Sequence, residues 1–295
     1  MNISFEYYRI FYYVAKYENI TKAAMVLKSS QPNVTRIIHL LEDQLDCRLF
    51  LREPRGLKLT EEGKRLYDHV AIACQHLLDA DAELCWNKNI CSGTIELGVT
   101  ETALHLFLLK HLHGFQQKYS DIKIRIQNNT TPGILKALLN GRLDLAIVTT
   151  PFELNDTFAC EDLMTFREVP AGGSEYRALA GHPMSLKEFR FHSIIGLGYG
   201  TASYEYYRKV FMEQKLDYEP AMEVATADLV IPLLQNNLGV GFIPEPLAAP
   251  FFEDQSLVPL SLNVPLPSRD VKMLWDKSLS QSRAAATFCD YLRSL

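Results

Sequence analysis

Residues 31–45 carry side chains that can read the edges of DNA bases. If this stretch is a helix, Val34, Ile38, Leu41 and Leu45 fall on one face at spacings of four, three and four. The other face then carries amide, hydroxyl, guanidinium and imidazole groups, from Gln31, Asn33, Thr35, Arg36 and His39. Amides can bond adenine at two points, arginine can bond guanine, and threonine can contact a phosphate or a thymine methyl. The pattern therefore predicts a helix that reads the major groove; the alternative is a helical hairpin with an ordinary solvated face.

Two shorter helices must hold this reading helix in place. Apolar and aromatic residues at 5, 8, 11, 12 and 15 predict an amphipathic helix over 5–17, and a second helix runs from Ile20 to about Leu27. Ser30 can cap the third helix, and Pro32 falls in its first turn, where a missing N–H costs little. The aromatic cluster of Tyr7, Tyr8, Phe11, Tyr12 and Tyr13 favours core packing over a base-stacking platform.

A basic hairpin follows. In residues 48–59 two short apolar runs flank a Pro/Gly turn, which predicts a β-hairpin wing. Its basic side chains suit contact with phosphate or the minor groove, and they are Arg52, Arg55 and Lys58.

A long helix opens at Thr60, which is placed to act as its N-cap. Apolar residues then alternate spacings of four and three through Leu66, Val70, Ala73, Leu77, Ala80 and Leu84. A rod of about 28 residues at 1.5 Å each is roughly 42 Å long. So long a seam predicts dimerisation; the alternative is burial against its own chain.

Composition and charge exclude several classes of protein. The chain has 295 residues, 47% of them hydrophobic, which excludes disordered tails, collagen-like fibres and small disulfide scaffolds. Residues 1–65 carry a net charge of +3 and the remainder −8, as expected when only one end meets a polyanion. The apolar runs are too short for a membrane helix, and the N-terminus does not resemble a signal peptide. The six cysteines form no C-x-x-C pair, so we expect reduced thiols in a cytoplasmic protein.

From Thr94 the pattern changes to alternating strands and helices. The strand candidates are Thr94–Val99, Ile122–Gln127, Leu143–Val148, Ser193–Ile195, Glu223–Ala225 and Gly239–Ile243, and helical stretches lie near 102–119, 132–140, 203–214, 228–237 and 280–295. This alternation predicts an α/β fold with a mainly parallel sheet. About 200 residues suffice for two lobes with a ligand cleft at the strand ends.

The first 66 residues resemble LysR-type transcriptional regulators. The matching positions are Phe11, Val14-Ala15, Thr21, Ala23-Ala24, Leu27, Ser30-Gln31-Pro32, Val34-Thr35-Arg36, Leu41-Glu42, Leu45, Leu49-Phe50, Arg52, Arg55, Leu59-Thr60 and Gly63. Weaker matches at 93–98, 138–147 and 237–244 extend the resemblance over nearly the whole chain.

The resemblance implies an α+β multidomain architecture. An N-terminal winged helix-turn-helix domain (1–59) is joined by a long linker helix (60–91) to a two-lobed α/β effector-binding domain (92–295) like periplasmic solute receptors. Lobe I would comprise 92–163 and 269–295, and lobe II 164–268. It also implies double-stranded promoter DNA as a partner, RNA polymerase as a further candidate, and assembly as a dimer or a dimer of dimers. The DNA-binding residues would be Thr21, Lys22, Ser30, Gln31, Pro32, Asn33, Thr35, Arg36, His39, Arg52, Arg55 and Lys58.

In this family the effector lies between the lobes. Hydroxyls and backbone N–H groups at helix N-termini hold it, so a small carboxylate or another anionic metabolite is the default effector. The corresponding residues would be Thr100, Glu101, Thr102, Thr130, Thr131, Thr149, Gly200, Thr201, Ser203 and Thr226. A Glu101 that faced the cleft would favour an amine instead; the alternative is a solvated rim position.

The chain also departs from the family pattern. Ile37, His39 and Leu40 stand where polar or basic residues are usual, and Asp46 stands where glycine is usual; aspartate tolerates the left-handed backbone better than most residues. Fewer basic groups imply weaker phosphate attraction per subunit.

Competing functions have weaker support. The run Gly196-Leu197-Gly198-Tyr199-Gly200 leaves a dinucleotide-binding oxidoreductase as an alternative, although Thr201 replaces the last required glycine. A free solute-binding protein would lack the N-terminal head. A redox disulfide through Cys74 and Cys85 competes with buried, inert thiols. We expect no enzymatic activity, no catalytic or metal-binding residue and no cofactor.

Overall fold

The protein consists of two compact units, residues 1–88 and 89–295. The computed structural model describes residues 3–53, 56–85, 93–279 and 281–295, without the side chains of 52, 53, 56, 75, 76 and 79–85. Within these ranges no helix has the length and apolar character needed to cross a membrane. The finer division at 59/60 and 91/92 stays a prediction.

The first unit, here called the head, is a helical domain with a hairpin. Its elements are α1 (Phe5–Tyr17), α2 (Ile20–Val26), α3 (Gln31–Leu45), β1 (Phe50–Glu53), β2 (Gly56–Leu59) and α4 (Glu61–Cys85). The Ser30 hydroxyl accepts a hydrogen bond from Asn33 N–H, so the predicted cap is confirmed. Asp46 ends α3 with φ at +52°. This is the left-handed conformation that aspartate tolerates better than most residues.

The head has one apolar core shared by its helices and hairpin. Phe11, Val34 and Leu41 are fully buried in it, and Tyr12 is 4% exposed, which confirms core packing for the aromatic cluster. Ala23 lies in the same core, where its small side chain lets the helices approach closely. Ile37 is buried as well, which gives a packing reason for an apolar residue there.

The long helix α4 has two different halves. Leu66, Val70 and Cys74 pack on the head core. For the first turns of α4, the alternative interpretation of the seam, burial against its own chain, is therefore correct. Further along the predicted seam Leu77 is 52% exposed, while the side chains of Ala80, Leu84 and Cys85 lie outside the described residues. Burial raises the pKa of the Cys74 thiol, which fits an unreactive thiol.

The second unit contains two five-stranded sheets. The first has the order β4-β3-β5-β12-β6 and the second β11-β7-β10-β8-β9. The strands of the first are β3 (Gly93–Val99), β4 (Ile122–Asn128), β5 (Leu145–Thr149), β6 (Phe158–Phe166) and β12 (Arg269–Asp276). Those of the second are β7 (Glu168–Gly172), β8 (Ile194–Leu197), β9 (Met222–Val224), β10 (Val240–Pro244) and β11 (Val258–Pro259).

Helices cover both sheets. They are α5 (Glu101–Ala103), which continues through a π-helical turn (Leu104–Leu108) into α6 (Leu109–Lys118), then α7 (Thr131–Leu139), α8 (Leu186–Phe189), α9 (Ala202–Glu213), α10 (Val230–Gln235), α11 (Glu245–Glu253) and α12 (Arg283–Arg293). Apolar side chains of α6 and α12, such as Phe115 and Phe288, fill the core of the first lobe. Phe189, Phe211 and Phe242 belong to the core of the second.

The prediction of a mainly parallel sheet is wrong. The six predicted strands exist and pair in parallel within two groups, β4-β3-β5 and β10-β8-β9. However, β6, β7, β11 and β12 add antiparallel pairs to both sheets. The chain crosses from the first sheet to the second between Phe166 and Glu168 and re-enters the first at Arg269. The two crossings therefore lie beside each other at the junction of the lobes, and Arg269 bonds Glu168 across them.

Candidate functional sites

The predicted reading face of α3 is accessible. Gln31, Arg36 and His39 are exposed, and Asn33 and Thr35 are half-buried beside them. The Arg36 guanidinium donates to Asn33 Oδ1 (3.1 Å), and the Thr35 hydroxyl donates to the Gln31 carbonyl (3.0 Å). Thr35 thus presents a methyl group and an acceptor, while Arg36 keeps further donors for a base. Ser30, Pro32, Thr21 and Lys22 are exposed as well.

A buried carboxylate, which the sequence reasoning did not single out, fastens α3 to the hairpin. Glu42 is 4% exposed, and its Oε1 accepts from the backbone N–H of Leu49 (2.8 Å) and of Phe50 (3.2 Å). Its Oε2 accepts from Arg48 (2.8 Å) and lies 3.4 Å from His39 Nδ1. Burial alone would raise the pKa of Glu42, but these backbone and guanidinium donors together lower it. The sequence signals were an acidic residue beside the apolar stripe of α3 and the family match at Leu41-Glu42, and neither indicated a buried carboxylate.

The hairpin has the predicted antiparallel form. Phe50 pairs with Leu59, and Glu53 pairs with Gly56 next to the turn. Lys58 is exposed on β2. The side chain of Arg52 and the whole of Arg55 lie outside the described residues.

A cleft between the two lobes collects the predicted hydroxyl groups. It encloses about 310 Å³ and is lined by nine of the ten predicted residues: Thr100, Glu101, Thr102, Thr130, Thr131, Thr149, Thr201, Ser203 and Thr226. Gly200 does not line it. It adopts φ +84° in the turn before α9, where a side chain would be strained. The predicted residues meet in one cleft because the strand ends of both sheets, and the helix starts that follow them, face the same junction between the lobes.

Two of these threonines cap helices, and two others precede helical turns without capping them. The hydroxyls of Thr130 and Thr201 accept from Gly133 N–H (3.4 Å) and Tyr204 N–H (3.1 Å) at the starts of α7 and α9. Thr100 and Thr226 precede helical turns without making a side-chain cap bond. Thr100 Oγ1 is buried and has no hydrogen-bond partner among the described residues. The cleft therefore offers a hydroxyl that protein groups leave unsatisfied.

Glu101 lies in the cleft wall with both carboxylate oxygens engaged. Asn128 Nδ2 donates to Oε2 (2.6 Å), and His105 Nε2 lies 2.7 Å from Oε1. Its side chain is 21% exposed. Both oxygens are thus turned toward protein partners, which reduces their availability to a ligand.

The sequence reasoning missed two groups at the cleft. Asn128 and Asn129 line it directly, and their position at the end of β4, next to Thr130, was a usable signal. Arg269 and Glu168 form a buried ion pair at the crossings, and Arg269 bonds two lining residues, Thr149 and Ser203. No pattern pointed to this pair, because both residues begin strands that were not predicted.

The glycine run that suggested dinucleotide binding has a structural explanation. A side chain on Gly196 would place its Cβ 2.1 Å from Tyr218 Oη, so packing inside the second lobe requires a glycine there. Gly200 is required by its positive φ.

Comparisons with known proteins agree with this architecture. Residues 5–64 match the family model of the bacterial regulatory helix-turn-helix protein, lysR family, and residues 91–295 match the LysR substrate binding domain. The HTH-type transcriptional regulator YofA of Bacillus velezensis is 25% identical over 289 residues, which cover 97% of this chain and 96% of that protein. BudR of Raoultella terrigena, also an HTH-type transcriptional regulator, is 33% identical over 183 residues, 61% of this chain and 60% of that protein.

A solved structure shares the fold over the full length. The probable transcriptional regulator PA0477 from Pseudomonas aeruginosa gives a TM-score of 0.70 at 18% identity, covering 99% of this chain and 97% of that one. With both family models accounting for nearly the whole sequence, the chain belongs to the LysR family of transcriptional regulators.

Proposed function

We propose that this regulator binds promoter DNA through α3 and the hairpin, and that a small molecule in the cleft between the lobes controls that binding. The DNA-binding part rests on the exposed polar face of α3, which lies opposite an apolar stripe in which Val34 and Leu41 are fully buried. A rigid helix with Gln31 and Arg36 outward is the arrangement that major-groove readout requires. Such a protein acts where the chromosome is, so we place it in the cytoplasm, with RNA polymerase as a further candidate partner.

The effector part rests on the cleft. Its volume of about 310 Å³ suits a small metabolite, and hydroxyl groups dominate its lining. The helices α7 and α9 begin at the cleft, and their N-terminal N–H groups favour a negative ligand group. A small carboxylate is therefore the proposed effector class, with the nine predicted residues that line the cleft as its candidate contacts.

We propose a homodimer built on the second half of α4. Leu77 and Leu78 are large apolar side chains with 52% and 41% of their surface exposed, on a helix whose first turns are packed against the head. Two heads held by such a helix pair could reach successive major grooves about 34 Å apart. A dimer of dimers would place further heads on the same promoter.

The DNA-binding proposal is tested by a gel-shift titration against the intergenic DNA next to the gene, at two salt concentrations with excess competitor. We expect a competitor-resistant complex that weakens as salt rises, since phosphate contacts release counterions. Arg36→Ala should relax base preference and cost about 1–3 kcal/mol. Arg52→Ala and Arg55→Ala should weaken all sequences alike. A specific complex that survives Arg36→Ala unchanged would contradict the role assigned to α3.

The dimer is tested by sedimentation velocity on the full chain. Leu77→Lys should shift the protein toward monomer, because it places a charge in the apolar seam. Arg65→Ala changes an exposed residue of the same helix outside the seam and serves as the matched control. Equal dimer fractions in the two variants would show that α4 does not carry the contact.

A further inference from the structure

The Arg269 guanidinium lies directly beneath the cleft. Only 1% of the residue is exposed, and its Nε donates to the Thr150 carbonyl (2.7 Å). One terminal nitrogen donates to Glu168 Oε1 (2.5 Å) and to Ser203 Oγ (3.1 Å), and the other donates to Thr149 Oγ1 (3.2 Å). The rings of Phe166 and Tyr206 flank the guanidinium, with their centroids 5.5 and 5.0 Å from Cζ. Its position and orientation are therefore fixed by partners on several sides.

This guanidinium reaches both walls of the cleft. Thr149 ends β5 in the first lobe, Ser203 lies in the first turn of α9 in the second, and both line the cavity. A guanidinium has donors only, so both hydroxyl oxygens must accept from Arg269. Their hydrogens then point away from Arg269, and no protein acceptor is found for either of them in the described part of the chain. The two hydroxyls are left as donors toward the cleft.

Two neighbouring hydroxyls donate their hydrogens to protein groups and so are not available as donors to a ligand. Thr131 donates to the Thr149 carbonyl (3.3 Å), and Thr201 donates to the Gly198 carbonyl (2.9 Å), so both use their hydrogens within the protein. Thr100 Oγ1, which also lines the cleft, is buried without a partner and adds a third available donor. The donors therefore belong to a specific subset of the lining, and Arg269 fixes two of them.

We infer that Arg269 is a positioning residue that makes this cleft selective for a carboxylate. It turns the Thr149 and Ser203 hydroxyls into two donors, one from each lobe, for a single acceptor-only group. Glu168 neutralises the buried cation, so recognition depends on oriented donors and the ligand group must supply the negative charge. Because hydrogen bonds to a charged acceptor are about twice as strong as neutral ones, we expect a carboxylate to bind about tenfold more tightly than its amide. This inference rests on the proposed effector cleft.

The experiment measures carboxylate selectivity on the full-length protein. The probes are two matched pairs, trifluoroacetate with trifluoroacetamide and 4-fluorobenzoate with 4-fluorobenzamide, with binding followed by ¹⁹F NMR relaxation. The wild-type protein should prefer at least one carboxylate over its amide by about tenfold. Equal binding within both pairs, or no binding by either carboxylate, would overturn the inference.

Variants then separate positioning from general structure. Arg269→Met combined with Glu168→Met replaces the ion pair by apolar side chains and leaves the cleft hydroxyls in place, free to rotate. We expect the carboxylate preference to fall severalfold, to what Thr100 and the helix N-termini alone supply, while amide binding changes less than about twofold. Arg269→Lys keeps the charge but loses the forked guanidinium that bonds both hydroxyls, so it should lose most of the carboxylate preference. If the double variant does not fold, Arg269→Lys alone tests whether Arg269 positions the hydroxyls. A variant of either kind that kept the full preference would overturn the role of Arg269.

Two controls complete the design. Thr149→Val with Ser203→Ala removes the two donors that Arg269 orients but keeps the ion pair, and it should lower the preference as much as the double methionine variant does. Arg293→Met removes an exposed cation of the same domain and should leave the preference unchanged, which excludes an effect of net charge. The gel shift on the same samples separates the two proposals: a wild-type protein that forms no specific complex, with or without the probes, would contradict the regulator mechanism, while the selectivity ratio would still decide the role of Arg269.

Discussion

Among the residues whose side chains the structure describes, the head and the effector-binding unit each bury one glutamate, and the hydrogen bonds of the two carboxylates differ. Glu42 in the head has both oxygens occupied, one by the backbone N–H groups of Leu49 and Phe50 and the other by Arg48. Glu168 bonds Arg269 through one oxygen, while its second oxygen is buried with no hydrogen-bond partner among the described residues.

This difference indicates different tasks. The Glu42 carboxylate, with both oxygens hydrogen-bonded, holds α3 and the hairpin in a fixed arrangement. A DNA-reading surface needs such a fixed arrangement. A buried carboxylate with one oxygen left without a hydrogen bond costs stability, even beside a buried cation. The cation makes a second set of bonds, those to Thr149 and Ser203, which gives the pair a task besides stability. The comparison can be tested by removing one partner at a time.

The largest effect is expected from Arg269→Met alone. It leaves Glu168 charged and buried without a counter-ion, which typically costs about 3–5 kcal/mol. The double variant Arg269→Met with Glu168→Met removes both charges and should recover most of that loss. Hydrogen exchange read by mass spectrometry over β5 and β12 measures the local free energy of unfolding. Equal losses in the single and double variants would mean that the unpaired charge is not the cause.

Glu42→Ala should have the next largest effect, confined to the head. It leaves the Leu49 and Phe50 N–H groups without an acceptor, at a cost of about 2–3 kcal/mol. Asp43→Ala, the next residue of the same helix and exposed, is the matched control and should change stability by no more than about 0.5 kcal/mol. Hydrogen exchange of the α3 and β1 peptides provides the measurement. Similar exchange in both variants would show that the Glu42 fastening contributes little.

The sequence predicted the head more fully than the effector-binding unit, for a physical reason. A helix that is apolar on one face and polar on the other shows both its core contacts and its accessible surface in one short stretch, as Val34 and Arg36 do. Helix starts and turns also carry local signals, such as Ser30 at the cap and Asp46 at the left-handed position.

In the second unit the decisive contacts are non-local. The parallel strands β5, β8 and β10 are apolar runs and β4 alternates apolar and polar residues, so these strands were predicted. Strand ends followed by threonines located most of the cleft. The strands β6 and β12 carry charged residues on a half-exposed antiparallel pair, so no apolar run marked them. Arg269 bonds residues 66 to 120 positions away, which no local pattern can reveal.

Arg48→Ala removes the guanidinium partner of the buried carboxylate in the head, as Arg269→Met does in the second unit. Its side chain is 68% exposed, so solvent already screens much of its attraction to Glu42. The two backbone N–H groups remain to hold the carboxylate. We therefore expect a loss of no more than about 1 kcal/mol in the head, measured by the same hydrogen exchange experiment. A loss as large as that from Arg269→Met would contradict the view that backbone donors, and not the guanidinium, hold Glu42.

The smallest expected effect is a pH dependence confined to the head. The lowered pKa of Glu42 means that its stabilising contribution is complete above the ordinary glutamate value, about 4.3, and is lost as pH falls through the lower folded value. Hydrogen exchange of head peptides from about pH 3 to 6, corrected for the intrinsic exchange rate, should show stability rising with pH over this window. In Glu42→Gln this rise should be reduced, because the group that titrates is gone while an acceptor oxygen remains for the backbone donors. Parallel curves for the two proteins would mean that other carboxylates set the acid sensitivity of the head, and that Glu42 stabilises it by geometry alone.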